Sequence, residues 1–329
     1  MAAVESLRVV HLDPNGFDDL AVERSIFDAE FDNFEFDEIA ASGSEIDDHV
    51  GEADILLTHY TSVPAVAMDA TDCAVVARYS TGVDGIDVEA ATARNIAVTN
   101  VPTYCDEEVG EHVVALTLAL LRSLPEADAQ TAAGDWNWRD IPRPRTANGL
   151  TFGCFAFGKK AAAAAERAGA LGFDVIAHDP YLDDSVLRDA DVEPATFDEL
   201  VSRSDVLSLH APLTDETTQV VDETVFERLP TDALLVNTAR GGLVDEAALV
   251  DALDTGELAA AGLDVLTTEP PRDDNPLLGR DDTIVTPHAA WYSDGALERV
   301  RTQGTMNAIE AFRGNVVDGI VNSEVIESR

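Results

Sequence analysis

NTARGGLVDE (Asn237 to Glu246), GLDVLTTEPP (Gly262 to Pro271) and TPHAAWYS (Thr286 to Ser293) lie within about fifty residues of one another. Short apolar runs, Ala233–Val236, Ala260–Val265 and Ile284–Thr286, precede or open them, the pattern of buried parallel strands. Arg240, Glu269 and His288 therefore fall where strands give way to loops. In open parallel sheets ligands bind beyond the carboxyl ends of the strands. An arginine there can hold and polarise an anionic oxo-substrate, a histidine can move a proton, and a carboxylate can fix and charge that histidine.

Working back along the chain, Leu150–Phe155 reads as the first strand of the same domain. It is followed by Ala156-Phe157-Gly158-Lys159-Lys160-Ala161, an alanine-rich helix, and a strand Asp174–Ala177 that ends at Asp179. This is the position of a dinucleotide fingerprint with alanine in place of two of its three glycines. The central Gly158 is the one that lets the backbone approach a pyrophosphate. Asp179 can hydrogen-bond the adenosine ribose hydroxyls and repel a 2′-phosphate. No arginine follows in His178-Asp179-Pro180-Tyr181, so NAD is expected rather than NADP. Lys159 and Lys160 are the only lysines in the chain. At a helix start their charge would favour phosphate, although a solvent-facing role accounts for them equally well.

Further strands are expected at Val206–Leu209, before His210-Ala211-Pro212-Leu213-Thr214, and helices at Phe197–Val201 and Asp222–Leu229. Asp245 is placed to cap a helix ending near Gly256. The polar stretch Gly134–Asn148 reads as a loop. Nearer the N-terminus, Arg8–His11, Ile55–Thr58 and Val75–Tyr79 read as strands of a small α/β domain. Directly after the last of these comes Ser80-Thr81-Gly82-Val83-Asp84, whose successive N–H groups could bind a carboxylate or form an ordinary turn. No additional basic group is expected beside this loop. Asn100-Val101-Pro102 looks like a crossover, Glu107–Arg122 a helix, and Asp294–Arg313 a helix returning to the first domain. The fold class expected is α/β: two Rossmann-like domains with parallel sheets, a coenzyme domain (102–290) inserted into a discontinuous substrate domain (1–101 and 291–329), with ligands in the cleft between them.

The 329 residues suffice for two cores, and 46% hydrophobic composition suits a globular protein. A net charge of −42 argues against a nucleic-acid partner, whose phosphates would be repelled. So acidic and lysine-poor a surface suits very high salt, where a Debye length of ~3 Å at 1 M screens self-repulsion. A halophilic origin is therefore expected. Cys73, Cys105 and Cys154 lack metal or redox-pair spacing and read as isolated thiols of a reducing cytoplasm. No secretory signal is recognised. The longest apolar run, Val113–Leu121, is too short for a bilayer, so neither export nor a membrane partner is expected.

The triad motifs, with RYSTGVDGID (Arg78 to Asp87) and NVPTYCDEEVGEH (Asn100 to His112), resemble the D-isomer-specific 2-hydroxyacid dehydrogenases over nearly the whole chain. TARGGLVDE and HAAWYS are most similar to the C-terminal-binding-protein-like subgroup. The resemblance implies reversible hydride transfer between NADH and a 2-keto acid. Arg240 would pair with the substrate, His288 would give the proton, and Glu269 would stabilise the imidazolium. It implies that Ser80, Thr81, Gly82 and Val83 hold the substrate carboxylate. Trp291, a large side chain three residues beyond His288, would wall the substrate pocket and favour an apolar or aromatic keto acid, or simply pack at the domain junction. Together with the residues read above, the coenzyme set expected is Thr81, Ala156, Phe157, Gly158, Lys159, Lys160, Asp179, His210, Ala211, Thr217, Thr238, Ala239, Asp264 and His288; the resemblance has Asp264 orienting the nicotinamide amide and Thr217 approaching the phosphates. A cytoplasmic homodimer, associating through the coenzyme domain, is also implied. Two alternatives stay open: a D-3-phosphoglycerate dehydrogenase, which would want basic groups for its phosphate and room for a regulatory domain, and a non-enzymatic NAD(H)-sensing interaction protein.

Overall fold

A computed structural model describes residues 7–13, 16–39 and 50–327. The chain forms two compact units, one of residues up to Tyr104 and from Ser293 onward, the other Cys105–Tyr292. The second is an insertion within the first.

The first unit begins with β1 (Leu7–His11), α1 (Ala21–Glu30), β2 (Phe34–Glu38), β3 (Ile55–Thr58), α2 (Ala65–Asp69), β4 (Val75–Arg78), α3 (Val88–Ala93) and β5 (Ala97–Thr99). The strands form one parallel sheet ordered β2-β1-β3-β4-β5. ILLT of β3 is buried at every position, as a strand covered on both faces requires. β2 and β5 are strands the sequence reading does not anticipate. FEFDE is acidic and only partly buried at the sheet edge, and AVT is three residues long.

The second unit opens with α4 (Asp106–Leu121) and α5 (Leu124–Ala132). Next come β6 (Thr151–Phe155), α6 (Lys159–Ala170), β7 (Asp174–His178), α7 (Asp184–Asp189), β8 (Glu193–Pro194), α8 (Phe197–Arg203), β9 (Val206–Leu209) and α9 (Glu223–Phe226). β10 (Leu234–Asn237), α10 (Glu246–Thr255), β11 (Ala260–Leu263) and β12 (Thr283–Val285) complete it. Its seven strands are parallel, ordered β12-β11-β10-β9-β6-β7-β8. Asp245 caps α10 by accepting from Ala247 and Ala248 N–H, and Gly256 ends it at φ 77°. The expected helix Asp222–Leu229 is shorter, because Asp222 is its cap and only Glu223–Phe226 is helical. A capping box between Thr196 and Glu199 starts α8, which runs two residues beyond expectation.

α11 (Asp294–Phe312) and α12 (Ser323–Glu327) return to the first unit. Gly304 admits the Tyr79 ring, which lies 2.5 Å from where a Cβ would stand, and Tyr79 Oη meets Thr305 Oγ1 at 2.5 Å. Arg301 and buried Glu23 form an ion pair at 2.6 Å. None of the described helices is long and apolar enough to cross a membrane.

Candidate active site

The three motifs converge within the second unit at the carboxyl ends of β10, β11 and β12. Beyond β10, Asn237 donates to the carbonyl of Arg240 (2.8 Å) and accepts from Ala239 N–H (3.0 Å), tying the turn to its own strand. Arg240 Nη1 donates to the Ala239 carbonyl at 2.7 Å. Gly241 is obligatory here: a Cβ would stand 2.0 Å from the Leu266 carbonyl carbon, so the arginine turn lies against the backbone leading to Glu269.

Glu269 Oε1 accepts from Leu266 N–H at 2.9 Å, which aims Oε2 at His288 Nδ1, 2.7 Å away. Burial raises the Glu269 carboxyl pKa. The His288 hydrogen bond and charge, the Leu266 amide and the Arg240 charge outweigh burial and hold it below the ordinary glutamate value. His288 has φ 52°, a left-handed conformation costly for any residue with a Cβ. Its N–H donates to the carbonyls of Asp264 (2.8 Å) and Thr286 (3.0 Å). The Asp264 carboxylate completes the turn, accepting from Thr286 Oγ1 (2.6 Å), Ala289 N–H (2.8 Å) and Ala290 N–H (2.9 Å). Asp264 is 1% exposed, so these contacts give it a role in the turn itself.

Around the β6 loop, Ala156 sits at φ 67°, where the fingerprint has its first glycine. Asp179 reaches back across the loop, accepting from Phe157 N–H and Tyr181 N–H at 2.9 Å each. Gly158 caps α6 with no side chain of its own, and a Cβ there would meet no heavy atom within 4 Å. Beyond β9, His210 N–H donates to the Phe155 carbonyl and its Nε2 lies 2.9 Å from Ser208 Oγ. Burial lowers its pKa to about 4, so the ring is neutral at pH 7. Ala211 is buried beside it. Thr238 Oγ1 is buried with no hydrogen-bond partner among the described residues. An open helix N-terminus, an acidic group at the end of β7 and an orphaned hydroxyl beyond β10 fit an NAD-type dinucleotide.

Residues 114–290 match the family model described as D-isomer specific 2-hydroxyacid dehydrogenase, NAD binding domain. The chain belongs to the D-isomer specific 2-hydroxyacid dehydrogenase family. Its relatives include a Korarchaeum cryptofilum glyoxylate reductase, 35% identical over 89% of this chain and 90% of that protein. A D-3-phosphoglycerate dehydrogenase of Mycobacterium leprae is 39% identical over 84% of this chain, yet the chain spans only 54% of that longer protein. The TT0316 protein of Thermus thermophilus superposes with a TM-score of 0.85 at 30% identity, covering 96% of this chain and 100% of that one.

Within this dehydrogenase-family chain, the two lysines have separate fates. Lys160 pairs with Asp106 at 2.8 Å, while Lys159 is exposed at the start of α6. The Thr217 hydroxyl is engaged in its own turn, donating to Pro212 O (2.6 Å) and accepting from Thr214 N–H (2.8 Å). Trp291 is half-buried and edge-on to Tyr292, centroids 5.4 Å apart.

In the first unit, the carbonyls of residues 80–83 are all consumed by the protein. Val101 N–H donates to Ser80 O, Asn100 Nδ2 to Thr81 O, Ser80 Oγ to Gly82 O, and Ile86 N–H to Val83 O, at 2.7–2.9 Å. The expectation that no basic group accompanies this loop is corrected: Arg78 Nε donates to Ser80 Oγ at 3.2 Å and its Nη1 to Thr61 O at 3.1 Å. The arginine ends β4 and turns back along the loop, a direction that chain order alone does not reveal. Asp13 is a second residue that sequence reasoning misses. It accepts from Thr58 Oγ1, His59 N–H, Thr61 N–H and Thr61 Oγ1, fixing the loop after β3.

Proposed function

We propose that the protein is an NAD-dependent D-2-hydroxyacid dehydrogenase that reversibly reduces a small 2-keto acid. The observation that carries this is the His288–Glu269 hydrogen bond beside Arg240, at strand ends shared with a dinucleotide-type loop. In reduction, His288 donates its proton to the carbonyl oxygen, and Glu269 compensates the charge on the ring. Arg240 binds the substrate carboxylate and polarises the keto carbonyl. NADH supplies the hydride when bound, with Gly158, Asp179 and Thr238 among its contacts. The loop Ser80–Val83 takes the substrate carboxylate, a role supported by its fully engaged carbonyls. The second unit is thus assigned as the coenzyme domain and the first as the substrate domain. His288→Ala tests the reading: turnover should be lost while NADH binding remains.

The motif HAAWYS supports placement near the C-terminal-binding-protein-like subgroup. There the half-buried Trp291 would favour an apolar or aromatic keto acid over a phosphorylated one. Arg78 does not overturn this preference, because its Nε and Nη1 are engaged by Ser80 and Thr61.

The −42 charge and two lysines support adaptation to high salt, tested by activity that rises with KCl. Self-association through the second unit is supported by α5, which buries none of its side chains, and by Trp136 and Trp138, 90% and 72% exposed. Sedimentation of the wild type and of a Trp136→Ser, Trp138→Ser variant tests the dimer.

A further inference from the structure

His112 lies on α4, one turn before Leu116. Leu116 packs so tightly on β11 that a Cβ on Gly262 would stand 3.1 Å from its Cβ. This registers His112 over the end of β11, where Asp264 stands. His112 Nε2 is 3.0 Å from Thr286 Oγ1, and that hydroxyl donates to Asp264 Oδ1 at 2.6 Å. A hydroxyl has one proton, so Thr286 must accept from His112, which fixes the imidazole with its proton on Nε2. The chain of donors is therefore directional: imidazole to hydroxyl to carboxylate. His112 Nε2 itself stands 3.8 Å from Asp264 Oδ1.

We propose that His112 is a positioning residue for proton transfer by His288, acting through Thr286 and Asp264. The inference rests on the reading of His288 as the acid. A residue with a Cβ stays left-handed only where its surroundings over-determine it. The surroundings here are the Asp264 carbonyl on the His288 N–H and the Asp264 carboxylate on the next two amides. Thr286 occupies one carboxylate oxygen, and His112 directs the Thr286 proton toward it. Without His112, the Thr286 hydroxyl keeps its bond to Asp264 but loses the donor that fixes its other side, so the carboxylate is held less rigidly and the imidazole shifts relative to Glu269 and the substrate.

The test uses the full-length chain as wild type, His112→Ala, His112→Gln and Thr286→Val. Turnover, keto-acid KM, NADH Kd by fluorescence and melting temperature are measured for each. His112→Ala should lower kcat about tenfold or more, since small misplacements of reacting groups are costly. NADH Kd should stay within about twofold and melting should change little, because the Ala289 and Ala290 amides still hold the Asp264 carboxylate in place. His112→Gln, whose amide can donate to the same hydroxyl, should recover most of the rate, and Thr286→Val should resemble His112→Ala. Wild-type kcat in His112→Ala would overturn the inference. So would a joint fall of kcat, NADH affinity and melting temperature with no recovery in His112→Gln. A wild type inert toward every keto acid would instead remove the underlying reading, and this inference with it.

Discussion

His288 Nδ1 stands 2.7 Å from Glu269 Oε2 while the His288 backbone is held left-handed at φ 52°. The first fact fixes the charge partner of the imidazole, and the second fixes its direction. Both follow from short connections: Glu269 is turned by the Leu266 amide, and His288 by the Asp264 carbonyl.

Removing the imidazole should cost rate and spare the coenzyme. For His288→Ala, kcat should fall at least about 100-fold, the lower end of what general acid catalysis supplies. NADH Kd, read by fluorescence, should be unchanged. Equal losses in both would identify a structural histidine.

Glu269→Gln should keep a hydrogen-bonding group but lose the compensating charge, lowering kcat with little change in NADH affinity. The pH sense follows from the depressed carboxyl. Glu269 is ionised above its ordinary value of 4.5, and its support is lost only as pH falls through the lower folded value. The acid limb of wild-type stability should therefore carry a Glu269 contribution below pH 4.5 that the glutamine variant lacks. Melting temperatures of both proteins across that range check it.

His210 titrates the opposite way from a paired histidine. Burial lowers its folded pKa to about 4, against 6.5 for the free group. The unfolded chain binds the proton first, so folding loses stability as pH drops from 6.5 toward 4. The difference in melting temperature between wild type and His210→Asn should shrink over that window. A constant difference would show that the ring is not buried neutral.

Glycine should be accepted where this chain has dispensed with it. Ala156→Gly relieves a left-handed alanine, worth about 1–2 kcal/mol, against the greater unfolded-state freedom of glycine, about 0.4–1 kcal/mol. Stability should rise by up to about 1.6 kcal/mol. Gly241→Ala should instead lose more than about 2 kcal/mol, because the clash is with backbone that cannot move aside. Denaturant melts separate the two.

The sheet interiors and the approach of Glu269 to His288 were legible because buried parallel strands are continuous apolar runs, and the loops at their ends lie together. ILLT and VLSL are read with their observed bounds. The partly buried β2 and the three-residue β5 carry too little pattern to be seen. The exposed α5 has no apolar face to mark it. Lys160 could not be assigned from sequence, since its partner Asp106 is 54 residues away. The same holds for His112 and Thr286, separated by 174 residues, although the Gly262–Leu116 approach that aligns them leaves a glycine in the strand as its trace.

NADH and NADPH oxidation in multimolar KCl, against glyoxylate, hydroxypyruvate, phenylpyruvate and phosphohydroxypyruvate, tests the central claim most directly. The account predicts turnover with at least one of these keto acids, faster with NADH because the carboxylate proposed to meet the adenosine ribose, Asp179, would repel a 2′-phosphate. NADH binding without turnover on any of them would contradict it, and would make the protein a coenzyme-gated binding protein instead.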